Sequence, residues 1–358
     1  YKDKLSPGLT ALLKKYPNFT MPVYPTHRTV ALPKATTDLI KAEAPKIEMT
    51  DGHIIGRVHS NVPFPVPKTG EEAIQNHILR HIGGSFEREA NWLVVLFNGE
   101  VYKGGRADRV VTAASFVPPQ GGNLAAALIG RFTAPAIFEG TTQLVHEPID
   151  QVADQRSAWI YNSGQRRVRR APDLAYDNFS DGTKGLRLVD QFQAYNGATD
   201  RYNWKLVGKK EMYVPYNTYK IGDKKIKYKD IVDAHTIRSE LMRYELHRVW
   251  VVEATLKDGM RHVFGRRTFY LDEDSWMVLG EDAYDTRGSL WRVGVHGLRQ
   301  NYDALVPWYG VQIWHDLTNG GYLADNLDNE IKAPIVFGKK AKWSDFQADA
   351  LRRAGGTR

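Results

Sequence analysis

The chain contains no cysteine. That removes disulfides, thiolate metal sites, thiol catalysis and cysteine-linked lipid anchors together. It also lacks the phosphate loops GxxxxGKS/T and GxGxxG, the nucleophile elbow GxSxG, the zinc pair HExxH and the EF-hand spacing. No apolar run is long enough to span a bilayer. The longest uncharged stretch, Val110 to Gly130, is broken by Pro118-Pro119-Gln120-Gly121-Gly122-Asn123. The first residue is Tyr1 and not Met, which fits a processed mature form or a trimmed chain.

What is present points to a β-rich protein. Of 358 residues 42% are apolar, and Trp (9), Tyr (18) and Phe (13) are plentiful. Aromatics favour pleated, half-buried surfaces. The formal net charge is +8. Lys and Arg are spread along the chain, which reads as colloidal solubility, and no nucleic-acid recognition module is present. The densest cluster, Arg166-Arg167-Val168-Arg169-Arg170, reads as a strand with arginines on both faces.

The most regular stretch runs from Leu241 to Gly294. Tyr244–Leu256, His262–Leu271, Trp276–Tyr284 and Ser289–Val295 are strand-like, separated by short Asp/Gly/Ser turns. Four such runs in series predict an antiparallel meander. In the first run Tyr244, Leu246, Arg248, Trp250, Val252, Ala254 and Leu256 share a face that is apolar except for Arg248. That face is expected to meet the core, with partial cover on the other, and a register slip of one would invert the assignment.

Elsewhere, Ser6-Pro7 predicts a short capped helix within an extended arm, and Thr69 with Glu72 predicts a capping box opening a helix to Ile82. Trp92–Phe97, Arg109–Phe116, Thr141–Glu147, Ala158–Tyr161, Arg166–Arg170, Tyr202–Val207, Lys210–Val214 and Trp308–His315 read as strands. Leu124–Ile129 reads as a short helix, and Val110–Gly130 as a lid. The expected organisation is an arm over 1–48, one domain over 49–340 and a tail helix within 341–358.

Chemistry-bearing patterns are sparse. His77 and His81 lie four apart on the predicted helix, but no third ligand accompanies them. Asp282 with Asp285, or Glu245 with Glu253, would serve as carboxylate pairs for glycoside chemistry, although such pairs are expected by chance among 41 acids. Arg248 is expected to be a buried ion-pair partner or a ligand-facing charge. The candidate cavity-lining residues are the recurring aromatics Trp159, Tyr161, Trp204, Tyr244, Trp250, Phe269, Trp276 and Trp291, together with Arg248. No cofactor, metal site or catalytic residue is expected.

Four blocks, Val62–His81, Trp159–Pro172, Tyr195–Asn217 and Arg243–Trp276, resemble a Gram-negative family of unknown function grouped with the outer-membrane lipoprotein-sorting proteins. The resemblance implies a periplasmic protein made with a signal peptide. It implies a fold like that of the carriers LolA and LolB, a half-open antiparallel β-barrel covered by helices. It also implies an inner-membrane RND-type transporter and an outer-membrane protein as partners. The expected function is a carrier for a lipid, a lipoprotein acyl chain or another hydrophobic compound. The alternatives are an enzyme acting on envelope glycans or lipids, and a non-catalytic adaptor.

Overall fold

The computed structural model describes every residue except 57, 60, 172–176, 333, 334, 357 and 358, and for 354–356 it describes the backbone alone. A small hairpin, β1 (Glu48–Thr50) and β2 (His53–Ile55), stands apart. The main sheet takes its strands in two runs. The first is β3 (Ser85–Val95), β4 (Val101–Thr112), β5 (Leu124–Ala134), β6 (Thr142–Pro148), β7 (Ser157–Asn162) and β8 (Arg167–Arg170). The second is β9 (Tyr202–Pro215), β10 (Tyr244–Leu256), β11 (Arg266–Asp272), β12 (Val278–Tyr284), β13 (Leu290–Asn301), β14 (Val306–Asp316) and β15 (Tyr322–Leu327).

Each run is an antiparallel meander, and the two join where β15 pairs with β3. β16 (Val336–Phe337) adds to β3. The spatial order runs from β8 through β3, then β15, to β9. β8 and β9 are therefore the two outer edges, and the sheet is not closed into a barrel. Among the described residues four α-helices accompany it: α1 (Pro7–Lys15), α2 (Lys34–Glu43), α3 (Gly70–Leu79) and α4 (Leu351–Gly356).

Local chemistry accounts for several boundaries. Asp285 Oδ1 accepts from the amides of Arg287 and Ser289, both at 2.9 Å, closing the β12–β13 turn. Asp272 Oδ2 accepts from Ser275 N at 2.8 Å and Ser275 Oγ at 2.6 Å, and Trp276 takes a left-handed φ of 61°. This turn absorbs Trp276, so β12 begins at Val278. The two strands expected around Gly208 are one. Gly208, at φ 121°, sits where the β9–β10 register shifts, a bulge that bends the strand without ending it.

Opposed residues in paired strands share a face. One row, Trp204–Ala254–Arg267–Ala283–Arg292–Asp316, crosses β9 to β14 on the inner face. α3 and residues 177–198 cover that face. The next row, Thr268–Asp282–Val293–His315–Tyr322–Val95, lies on the outer face. There Leu9, Leu12, Tyr16 and Phe19 of the N-terminal arm pack against Val293, Val295, Val311 and Ile313. The C-terminal tail covers the far end through Phe346 and Leu351.

Three expectations need correction. Leu124–Ile129 is strand and not helix, because β4 and β6 flank it and ladder pairing overrides its Ala-rich helix propensity. Val110–Gly130 is for the same reason no lid, since both its ends, Val110–Thr112 and Leu124–Gly130, are strands of the sheet. The tail helix expected within 341–358 is confined to α4, because short 3₁₀ turns at Trp343–Phe346 and Ala348–Ala350 precede it.

Candidate functional site

A pocket opens on the inner face where β3 to β6 lie side by side beneath residues 180–192. Its floor follows from register. Arg88 stands opposite Asp108 and Ala90 opposite Arg106. Arg106 stands opposite Phe132 and Asp108 opposite Gly130, while Leu128 stands opposite Val145. Alternation thus brings the apolar Ala90, Trp92, Leu128, Phe132 and Val145 to the same surface as the charged groups.

Glycines make the room. A Cβ on Gly104 would meet Trp92 Cε2 at 2.0 Å, so the indole lies directly on bare backbone. A Cβ on Gly130 would meet Arg106 Cδ at 2.9 Å and Asp108 Oδ1 at 3.0 Å. The centre of a water molecule can reach about 80 Å³ of the recess, and its empty space totals about 840 Å³ with the open solvent at its mouth.

The charged part is an arginine cluster. Arg88 Nε and Nη2 both donate to Asp108 Oδ2 at 3.2 Å, and Arg106 Nε lies 2.5 Å from Asp108 Oδ1. Arg187, reaching down from the cover, pairs with Asp325. Burial pushes the Arg187 guanidinium below its ordinary value; Asp325 opposes that, while Arg106 and Arg88 add to it. Arg156 and Glu147 form a further pair at 2.9 Å.

The cover is held by polar ties. Trp92 Nε1 donates to Gly182 O at 3.0 Å, and Arg292 Nη2 donates to Gly185 O at 2.6 Å. Arg267 is fully buried; its Nη1 donates to Asp190 Oδ2 at 2.5 Å and its Nε to Glu281 Oε1 at 2.7 Å. Gln191 Nε2 donates to Glu281 Oε2 at 3.0 Å. From α3, Arg80 Nη2 reaches Gln193 Oε1 at 2.6 Å and His77 Nε2 reaches Gln193 O at 3.0 Å. Burial holds the His77 imidazole well below its ordinary value, hence neutral.

None of the nine sequence-derived candidates lines this pocket. Trp159 and Tyr161 lie on the opposite face, with Trp159 and Trp343 on either side of His146 under the C-terminal tail. Tyr244 packs in the outer core with the N-terminal arm. Trp204 and Phe269 do face inward, but stack on each other and on Tyr195. Trp250 stacks on Trp276. Trp291 packs on Phe264 and donates to Asp316 Oδ2 at 3.1 Å. Arg248 is not buried; it pairs with Glu273 at the surface, 2.9 Å away.

The face assignment in β10 is inverted over its first half. Glu245, His247, Val249 and Val251 are buried, whereas Leu246 and Trp250 are half-buried and Arg248 is exposed. Glu245 accounts for this. Its Oε1 accepts from Asn217 Nδ2 at 2.9 Å and Arg243 Nε at 2.7 Å, and its Oε2 from His27 N at 2.8 Å and His247 Nε2 at 3.0 Å. Asp282 and Asp285 are also occupied. Asp282 is buried against Ser6, Gly8 and Tyr270, and Asp285 closes an exposed turn. His81 lies beyond the end of α3, and among the described residues no group of three or more His, Asp or Glu is placed to hold a metal ion.

The pocket residues were missed because their signal is indirect. Arg88, Arg106 and Asp108 look like ordinary strand charges. The usable signal was Gly104-Gly105 and Gly130 inside strands, which marks close approach of something bulky.

The chain folds as an open antiparallel sheet with a pocket beneath the segment that covers its inner face. The chain belongs to the family described as "Protein of unknown function (DUF1329)", matched over residues 1–352. It is 45% identical over 360 residues to the uncharacterized protein PA3922 of Pseudomonas aeruginosa, covering 99% of this chain and 79% of that one. A solved DUF1329 family protein from Desulfovibrio piger superposes with a TM-score of 0.54 at 14% identity, over 81% of this chain and 99% of that one. A domain from Vibrio parahaemolyticus that carries the name of an outer membrane lipoprotein-sorting protein gives 0.54 at 14%, over 79% and 97%. At that identity the likeness is one of fold. Among the described residues no helix is long and apolar enough to cross a membrane.

Proposed function

We propose that the protein is a periplasmic carrier that holds a lipid or other hydrophobic compound in the pocket between β3–β6 and residues 180–192. The observation that carries this reading is the pocket's position and make-up: a recess on the covered face of a lipoprotein-sorting-like sheet, walled by Trp92, Leu128, Phe132, Val145 and Phe192. Burial of apolar ligand surface supplies affinity. Each methylene buried there would contribute ~0.8 kcal/mol. Because buried ion pairs tie the cover to the sheet, loading proceeds through the mouth and not by a swinging lid. The wider reading, passage of cargo between an RND-type transporter and an outer-membrane protein, rests on the family resemblance alone.

The test is displacement of N-phenyl-1-naphthylamine fluorescence by single-chain lipids, for the wild type and for Ala90→Phe and Val145→Phe, which fill the recess. Saturable displacement that the filled variants lose, while keeping their circular dichroism, supports the carrier. Equal displacement in the filled variants moves the ligand away from this pocket, and no binding by the wild type ends the carrier reading.

A further inference from the structure

The pocket's charges do not cancel at depth. Arg88, Arg106 and Arg187 meet only two carboxylates there, Asp108 and Asp325. Asp108 is shared by two guanidinium groups, and its side chain is 2% exposed. Asp181 also lines the recess, but it pairs with none of these arginines, and burial raises its carboxyl, which favours the neutral form. Arg156 and Glu147 balance each other.

The donors are also not used up. The Arg88 side chain is 7% exposed, and among the described residues no protein group accepts a hydrogen bond from its Nη1. Arg187, with a side chain 9% exposed, has an Nε in the same condition. A buried guanidinium donor without an acceptor is costly, and an anionic oxygen is its best complement. Aromatic faces hold the cluster in place. Arg88 lies over Trp308 at 5.5 Å, Arg106 over Phe192 at 5.3 Å and Arg187 over Trp314 at 5.6 Å. Apolar wall therefore stands directly beside an excess of buried positive charge.

We infer that the ligand is a single-tailed amphiphile with one anionic head, a carboxylate or a phosphate monoester. The head sits against Arg88, Arg106 and Arg187, and the first part of the tail lies along Leu128, Phe132 and Val145. The inference rests on the carrier reading and sharpens it. The recess is open at its mouth, so the head and the first part of the tail sit inside and the rest of the tail lies in the mouth. It does not fit a neutral head, which would leave the extra charge buried and unpaired.

The experiment is isothermal titration of the wild-type protein with decanoate, decyl phosphate, decanol and decylamine below their aggregation limits, with inorganic phosphate as a tail-less control. Decanoate and decyl phosphate are expected to bind about tenfold or more tighter than decanol, the ratio that a charge-assisted hydrogen bond supplies. Arg88→Met, which keeps the stem and leaves Arg106 on Asp108, lowers the decanoate-to-decanol affinity ratio by about tenfold. Arg106→Met is the second variant. In the wild type, added salt narrows the acid-to-alcohol ratio, a readout that needs no substitution. Equal binding of decanoate and decanol overturns the anionic site but leaves the carrier standing. Tightest binding of decylamine, or binding of inorganic phosphate at the strength of decyl phosphate, also overturns it. If none of the chains binds, the carrier reading falls as well.

Discussion

Arg267 and Asp190, 77 residues apart in sequence, meet at 2.5 Å in the interior. Glu281 and His262 complete the cluster, and it joins the cover to strands β11 and β12. Burial alone would favour neutral Asp190, but Arg267 and His262 more than offset this and hold its carboxyl below the usual range. The Arg267 guanidinium is held above its ordinary value, because Asp190 and Glu281 outweigh its burial. The cover that roofs the pocket is therefore tied to the sheet by buried charge as well as by the packing of Leu186, Leu188 and Tyr195.

Removing that charge should be expensive. Arg267→Met leaves two carboxylates buried without their partner, and breaking a buried pair costs about 3–5 kcal/mol. Urea denaturation should show a loss of that size, and hydrogen exchange should rise selectively in residues 180–192. A loss below about 1 kcal/mol would mean that packing, not the cluster, holds the cover.

Gly104 sets the position of Trp92. Gly104→Ala forces the indole off the strand, an overpacking change that costs about 1–3 kcal/mol. It should also break the Trp92–Gly182 hydrogen bond, visible as a red shift of the tryptophan emission, and weaken ligand binding. An unchanged spectrum would show that the indole has slack.

The acid Asp282 is expected to make stability fall as pH rises. Its carboxyl is pushed up to about 6 by burial, against hydrogen bonds from Tyr270, Gly8 and Ser6 that favour the charged form. A raised acid is more protonated in the folded than in the unfolded state, so its contribution is full below about pH 4 and is lost as pH rises through about 6. Asp282→Asn keeps an acceptor for Ser6 and Gly8. It should flatten the fall between pH 4 and 6, a difference with a ceiling of about 3 kcal/mol. Urea midpoints across that window decide it; parallel curves for the two proteins would rule it out.

Glu245 works with the opposite sign. Burial would raise it, but His247, Asn217, His27 N and Arg243 bring its carboxyl down to about 2. Its stabilisation is present above the unfolded value near 4.5 and is lost as pH falls toward 2. Glu245→Gln should lower stability at pH 7 by up to about 3 kcal/mol and remove that acid-side loss. It should also loosen the arm around His27, seen as cleavage there in limited proteolysis.

The sheet was legible in the sequence where a turn residue and alternation agreed. Tyr244–Leu256 is read to its ends because Lys257-Asp258-Gly259 stops it, and α1 because Ser6 caps it with an oxygen that accepts from Leu9 N at 3.0 Å. Leu124–Ile129 misled because its propensity is local, whereas its pairing with β4 and β6 is not. The β10 faces misled because Glu245 and His247 look like solvent residues until the arm and Asn217 supply their partners. The pocket was not legible at all from aromatic content. Trp159 packs on His146, and Trp204 on Tyr195 and Phe269, all away from the recess, which opens where Gly104 and Gly130 leave room beside Trp92, Phe132 and the charges. Which of the two sheet faces receives the cover depends on where residues 177–198 cross, and no periodicity encodes that crossing.

The most direct test of the carrier is mass spectrometry of the lipid extract from protein purified gently from a Gram-negative periplasm, wild type beside Ala90→Phe. A near-stoichiometric single-tailed amphiphile on the wild type, missing from Ala90→Phe, is the predicted result. Wild-type protein that emerges empty, and stays empty when offered labelled lipids, would contradict the carrier and favour an adaptor whose sheet is only a scaffold.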